Sequence, residues 1–218
     1  VKSLSQNNCL LSWTGQEGVR LYAASIGGTY SARRVIRQAK LVSDEAKRLE
    51  VAMRMYRFRF KEALPPIVSL ESIRGMEGIR VRRAYGEASE KYGVEWKGRN
   101  YDQDDWNKGD SINRALSAAN ACLYGVCHAG IISAGYSPAL GFVHTGKMLS
   151  FVYDVADLYK TELTVPVAFR IVSEKTADLE RAIRTECRNA FHEFRLMDRL
   201  LPDIVEVLGV TDDSGESA

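Results

Sequence analysis

Residues 110–135, DSINRALSAANACLYGVCHAGIISAG, decide the fold class. From Ala115 to Gly135 this is the most apolar long stretch of the chain, yet it is rich in Ala, Ser and Gly and keeps Asn120 and His128. It lacks the roughly 18 uninterrupted apolar residues of a membrane span. The segment therefore reads as a buried helix, begun by Asp110 or Ser111 and running to about Gly135. A buried helix needs other helices around it, and the flanking sequence supplies them.

Toward the C-terminus, Pro138–Lys147 reads as a loop and Ser150 starts a helix to about Leu163. Pro166 opens a short helix, Thr176 a long one to about Leu200, and Pro202 a final turn or two. Toward the N-terminus, residues 94–109 are polar, with Trp96, Arg99, Tyr101 and Trp106 among charges, and read as an ordered loop. Ser69 caps a helix that ends at Gly93, and Ser43 caps one that Pro65-Pro66 stops near Leu64. Ser31–Val42 is a further helix. Before Gly27-Gly28 lie two short β-prone runs, residues 9–13 and 19–24. The expected architecture is mainly α: a small β remnant over residues 1–27, an α-helical domain over 28–210, and 211–218 as an acidic tail with nothing to bury.

Composition supports a folded, globular chain, with 218 residues of which 45% are hydrophobic and 27% charged. Cys9, Cys122, Cys127 and Cys187 are scattered, without a C-x-x-C unit or a zinc-ligand spacing. Idle thiols in a reducing, cytoplasmic compartment are the expectation. The net charge of +2 hides a strong asymmetry. Residues 33–83 carry 14 Lys and Arg against 6 Asp and Glu, whereas residues 84–218 carry 14 against 21. Arginines outnumber lysines 20 to 10, and guanidinium suits bidentate phosphate contact. The run Arg54-Met55-Tyr56-Arg57-Phe58-Arg59-Phe60 fits a nucleic-acid backbone, or a solvated helix face whose Arg stems cover apolar surface.

Three places break local rules. Gly75 and Gly78 flank Glu77 inside a helical pattern, where each glycine costs about 1 kcal/mol relative to Ala. Their presence suggests a close approach to the backbone beside a carboxylate. In Gly141-Phe142-Val143-His144-Thr145-Gly146-Lys147 an imidazole shares a loop with a hydroxyl and a cation, which suits a phosphate. Asp154 and Asp157, at i and i+3, present two carboxylates on one helix face. Asp157, flanked by apolar residues, wants a cation, either Arg or a metal. Glu, His and Asp together make an oxygen-and-nitrogen set suited to Mg²⁺ or Mn²⁺ rather than zinc. Such an ion polarises a phosphoryl oxygen.

The stretches QAKLVSDEAKRLEVA at 38–52, SIRGMEGIRVR at 72–82, WKGRNYDQDDWNKGDSIN at 96–113 and GFVHTGKMLSFVYDVADLYK at 141–160 resemble CRISPR-associated protein one, the CRISPR adaptation integrase, in its type I subtype E branch. The resemblance runs from about Trp13 to about Leu208, and it implies that residues 1–27 are the last strands of a shortened N-terminal β-domain and 28–210 the C-terminal α-helical catalytic domain. It implies a metal-dependent DNA integrase and endonuclease that inserts short DNA segments at a CRISPR repeat by transesterification. It places the metal ligands on Glu77, His144 and Asp157, with Asp154 as their catalytic neighbour. It puts DNA contacts on Arg20, Arg74, Arg82, Arg99, Tyr101, Trp106, Tyr124, Lys147 and Lys160. Implied partners are double-stranded DNA, CRISPR-associated protein two and a second copy in a homodimer, with no membrane. The rival expectation is a non-catalytic DNA-binding or assembly subunit whose acidic trio is structural.

Overall fold

The computed structural model describes residues 12–14, 21–24, 31–65, 68–98 and 110–210. Two short strands, β1 (Ser12–Thr14) and β2 (Leu21–Ala24), pair antiparallel with Trp13 opposite Ala23. Among the described residues eight helices follow: α1 (Arg33–Ser43), α2 (Glu45–Phe60), α3 (Leu70–Tyr92), α4 (Ser111–Ser133), α5 (Ser150–Asp157), α6 (Thr164–Ser173), α7 (Leu179–Glu193) and α8 (Leu196–Leu208). The mainly α expectation holds. Arg20, Arg99, Tyr101, Trp106 and the 211–218 tail lie outside the described residues.

Helix α4 is the axis of the bundle, and α5, α6, α7 and α8 pack against it. Ile112, Leu116, Leu123, Cys127 and Ile131 are buried along it, and Ala115, Ala118 and Ala119 let neighbours come close. At Gly130 a β-carbon would lie 2.9 Å from Leu200 Cδ1, so the glycine seats α8. By length and composition α4 passes for a membrane span, with a mean hydropathy of 1.4. Its apolar residues, however, face other helices of the same fold. Two buried polar pairs brace the helices around this axis. Thr164 donates to Asn120 at 2.7 Å, and the Tyr159 hydroxyl donates to Asp203 at 2.8 Å.

The helix ends show which local signals prevailed. Ser69 and Ser72 form a reciprocal capping box at the start of α3, and Gly93 closes it with a φ of 63°. Asp110 caps α4 through the Asn113 N–H at 2.8 Å. The expected Ser43 cap is instead Asp44, which accepts from the Lys47 N–H at 3.1 Å. Ser43 still belongs to α1, its hydroxyl bonded back to the Ala39 carbonyl at 2.8 Å. Helix α2 stops at Phe60 rather than Leu64, because Lys61 turns left-handed at a φ of 54°. The segment from Ser150 ends its helix at Asp157 and continues in turns to Leu163. Pro166 sits in the first turn of α6, where its missing N–H would have had no helical partner.

The largest difference is the long helix expected over 176–200. It is two helices, α7 and α8, broken where Arg195 adopts a φ of 55°. Pro202 lies inside α8 and removes one backbone bond there. Burial of Leu196, Leu200, Ile204, Val207 and Leu208 holds that helix in place. In the 94–98 segment, Trp96 stacks on Tyr85 of α3 at 4.7 Å and meets Phe169 of α6 edge-on at 5.9 Å.

Candidate active site

Three segments meet beside the α2–α3 crossing. Glu77 comes from the middle of α3, His144 from the loop before α5, and Asp154 and Asp157 from α5 itself. Glu77, His144 and Asp157 face one open cavity of about 580 Å³, together with Arg59, Arg74 and Lys160.

The loop carrying His144 is held from beneath. The buried Asp154 carboxylate accepts the backbone N–H groups of Phe142 at 2.5 Å, Val143 at 3.1 Å and His144 at 2.8 Å. It also bonds His144 Nδ1 at 2.8 Å. A carboxylate can only accept, so Nδ1 carries the proton and the Nε2 lone pair is left free. Nε2 lies 3.9 Å from Asp157 Oδ2. The hydrogen bond to Asp154 raises the His144 pKa; burial opposes it and the Asp157 charge adds to it. Gly141 makes the turn possible, since a β-carbon there would lie 2.3 Å from the His144 carbonyl oxygen and 2.8 Å from the Ser150 carbonyl carbon. Arg74 donates to the Val143 carbonyl from across the cavity. The Ser150 hydroxyl accepts from the Lys147 N–H at 3.1 Å and closes the loop onto α5.

Each of the two remaining carboxylates has its own cation. Glu77 pairs with Arg59 of α2. Asp157 pairs with Lys160 Nζ at 2.5 Å, and that ammonium also sits 4.7 Å above the Tyr124 ring. Burial raises the Glu77 pKa, and the Asp157 charge raises it further against the pull of Arg59 and His144. Burial pushes the Asp157 pKa upward too, but Lys160 and Arg59 outweigh it and hold the group below its ordinary range. The Lys160 pKa is raised: burial lowers it, and the Asp157 charge more than reverses that.

Consequently no three His, Cys, Asp or Glu groups among the described residues stand ready as a metal cluster. The donor chemistry of Glu77, the free His144 Nε2 and Asp157 nonetheless fits a hard divalent ion, because all three face one cavity. The carboxylates are turned toward Arg59 and Lys160, so an ion would compete with those side chains. Asp154 differs from the other acids, since both its oxygens are already engaged with N–H donors.

Of the described DNA-contact candidates, Arg74 and Lys160 line the cavity, and Tyr124 adjoins it through Lys160. Arg82 and Lys147 are exposed outside its wall. Among the described residues, nothing outside the helix's own backbone lies within 4 Å of a β-carbon built on Gly75, and the nearest such atom to one on Gly78 is Arg82 Nη1 at 3.9 Å. The close approach expected at these glycines is therefore not made by the described residues. Gly78 borders the open cavity.

Arg59 is the site residue that the sequence alone did not single out. It lay in plain view within the basic aromatic run, but that run is partly turned inward. Arg54 donates to the Val207 and Leu208 carbonyls, both at 2.9 Å, and Arg59 to Glu77. Counting arginines cannot distinguish these internal partners from phosphates.

Comparisons with known proteins agree with one another. Residues 58–193 match the family model described as CRISPR associated protein Cas1. The chain is 51% identical over 204 residues to the CRISPR-associated endonuclease Cas1 of Geobacter sulfurreducens, covering 94% of this chain and 67% of that protein. It is 47% identical over 208 residues to the Cas1 endonuclease of Escherichia coli K12, covering 95% and 68%. A crystal structure of TtCas1 in complex with DNA superposes with a TM-score of 0.84 at 49% identity, over 95% of this chain and 77% of that one. A casposase bound to its integration product shares the fold, with a TM-score of 0.73 at 15% identity over 100% of this chain and 77% of that one. The chain spans about two thirds of the length of the curated relatives it matches.

Proposed function

The chain belongs to the Cas1 family of CRISPR-associated proteins, and from that premise we propose that it is a metal-dependent DNA integrase and endonuclease of CRISPR adaptation. Its substrate is double-stranded DNA, both the incoming segment and the repeat that receives it. The observation that carries the reading is the convergence of Glu77, His144 and Asp157, from three separate segments, on one cavity beside Arg59, Arg74 and Lys160. The names of the relatives and the DNA complex of the superposed structure support it.

In this reading Glu77, His144 Nε2 and Asp157 would hold Mg²⁺ or Mn²⁺, which would supply positive charge to offset that of a phosphodiester under attack by a DNA 3′-hydroxyl. The chain's own groups do the rest. Asp154 is a positioning residue that fixes the His144 tautomer and ties down the loop backbone, work its saturated oxygens already perform. Arg74 and Lys160 orient the phosphodiester along the cavity, and Tyr124 steadies the Lys160 ammonium. Arg82 and Lys147, exposed nearby, extend the cationic surface along the duplex.

Assembly with CRISPR-associated protein two, a homodimer, a cytoplasmic setting and the type I subtype E branch complete the proposal, on the motif resemblance at 38–52, 72–82, 96–113 and 141–160. A groove of about 720 Å³ between α4, α7 and α8 suits a protein partner, since Val126, Phe191, Leu196 and Met197 floor it beside Arg184 and Arg188. The test is divalent-metal-dependent integration of a labelled duplex into a repeat-bearing plasmid, with and without the small partner. Glu77→Ala and His144→Ala are expected to abolish strand transfer while leaving duplex binding within a few-fold. Undiminished strand transfer in both variants would transfer the case to the rival reading, a DNA-binding assembly subunit.

A further inference from the structure

Arg59 occupies an unusual position for a guanidinium. Its side chain is only 5% exposed, and its partner Glu77 is 20% exposed. Its Nε is buried without a hydrogen-bond acceptor among the described residues. A buried guanidinium ordinarily has its donors satisfied, so this one is only partly provided for. The same side chain lines the cavity that holds Glu77, His144, Asp157 and Lys160.

The charge balance of the site gives this position a meaning. Glu77 and Asp157 contribute two negative charges, each paired with its own cation, Arg59 and Lys160, and Arg74 adds a third positive charge on the same wall. Asp154 is taken up by three backbone N–H groups and the His144 ring. A divalent ion entering this half-buried set meets carboxylates that are already neutralised. Its charge must then be offset by withdrawal of a cation or arrival of an anion. A DNA phosphodiester is such an anion.

Resting on the metal-site reading above, we propose that Arg59 is a displaceable counter-ion. It holds Glu77 while the ion is absent and yields that carboxylate when the ion binds. It then turns its guanidinium, including the unpartnered Nε, to the phosphodiester in the adjoining cavity. Ion and DNA are thereby coupled: each strengthens the binding of the other, and the ion alone binds weakly. By linkage the coupling is equal in both directions.

The experiment measures Mn²⁺ binding through the electron paramagnetic resonance signal of the free ion, at pH 8.5, with and without a short duplex. The proteins are wild type, Arg59→Met, Arg59→Gln, Glu77→Gln and His144→Ala, with folding of each checked by circular dichroism. Arg59→Met removes the charge and keeps an apolar stem. Arg59→Gln keeps a donor for Glu77 without the charge, and stands in if the Met variant does not fold. Either is expected to bind Mn²⁺ without DNA about tenfold more tightly than wild type, within the usual range of coupling between sites. The further tightening that DNA brings in wild type should shrink to within about twofold. Unchanged or weaker Mn²⁺ binding in the Arg59 variants, while Glu77→Gln still impairs it, overturns the counter-ion role alone. If Glu77→Gln and His144→Ala both bind Mn²⁺ like wild type, the metal-site reading itself fails and the proposal falls with it.

Discussion

Asp154→Asn is the most informative single change, because it replaces one oxygen by an NH₂ group and tests the support of the whole His144 loop. In the wild type, one carboxylate oxygen accepts from the Phe142 and Val143 N–H groups at 2.5 and 3.1 Å. The other accepts from the His144 N–H and from Nδ1, both at 2.8 Å. Asparagine keeps one acceptor oxygen and replaces the other with an NH₂ donor. If its oxygen serves Phe142 and Val143, the NH₂ meets the His144 N–H donor to donor. Hydrogen bonds to a charged group contribute about 1.5–3 kcal/mol each, and a buried donor left unpaired costs about 1–3 kcal/mol. Loss of two such bonds predicts a destabilisation of about 3–5 kcal/mol, since the loop relaxes in part. The ring responds as well. To accept from the new NH₂, Nδ1 must give up its proton, which moves to Nε2 and blocks the lone pair proposed to bind the metal. Mn²⁺ affinity should then fall by about 10–100-fold, as for other groups that orient a metal-binding histidine. Urea denaturation reads the first effect, Mn²⁺ titration the second, and ¹⁵N chemical shifts of the His144 ring the tautomer. Stability within about 0.5 kcal/mol of wild type, with the proton still on Nδ1, would refute the reasoning.

Two further outcomes follow from the same geometry. His144 is held above its ordinary value of 6.5 by Asp154, so metal-dependent cleavage should rise with pH through a midpoint above 6.5. Metal-free stability should move the other way: the contribution of the protonated ring is complete below 6.5 and is lost as pH climbs through the raised value. Parallel pH series of cleavage and of urea midpoint check both signs. Gly141→Ala puts a β-carbon 2.3 Å from a backbone oxygen that cannot move without the loop. We expect a loss of about 2–4 kcal/mol in urea melts and a matching loss of Mn²⁺ binding, whereas Gly75→Ala, with open space around it, should be neutral or stabilising.

How far the sequence could be read depended on whether a signal was local. Helix α4 was legible because a long run of small and apolar residues can only be satisfied inside a bundle, and Ser69 and Gly93 bracket α3 by chemistry that acts within one turn. The break between α7 and α8 was not legible. Neither Phe194 nor Arg195 is a helix breaker, and the left-handed turn there is fixed by where Leu196 and Leu200 must bury. Pro202 pointed the wrong way for the same reason, because tertiary packing overrode a local preference. Asp157 was expected to want an Arg or a metal, and within the chain the cation paired with it is Lys160, one turn on. Asp154 looked like its twin by spacing, yet it differs because the polypeptide between Phe142 and His144 folds over it. Arg59 was hidden most deeply, since its partner belongs to another helix and no periodicity marks that crossing.

The Arg54 clamp has a consequence for how the protein is made. Arg54 closes the C-terminal end of α8 by binding the Val207 and Leu208 carbonyls, and Gly209 is bare beside it because a β-carbon would lie 2.7 Å from the guanidinium carbon. Arg59 lies five residues further along the same helix, about 7.5 Å away along its axis. Helix α2 is thus anchored by a segment translated some 150 residues later. During synthesis, the helix that carries Arg59 therefore gains these two bonds only after α8 has left the ribosome.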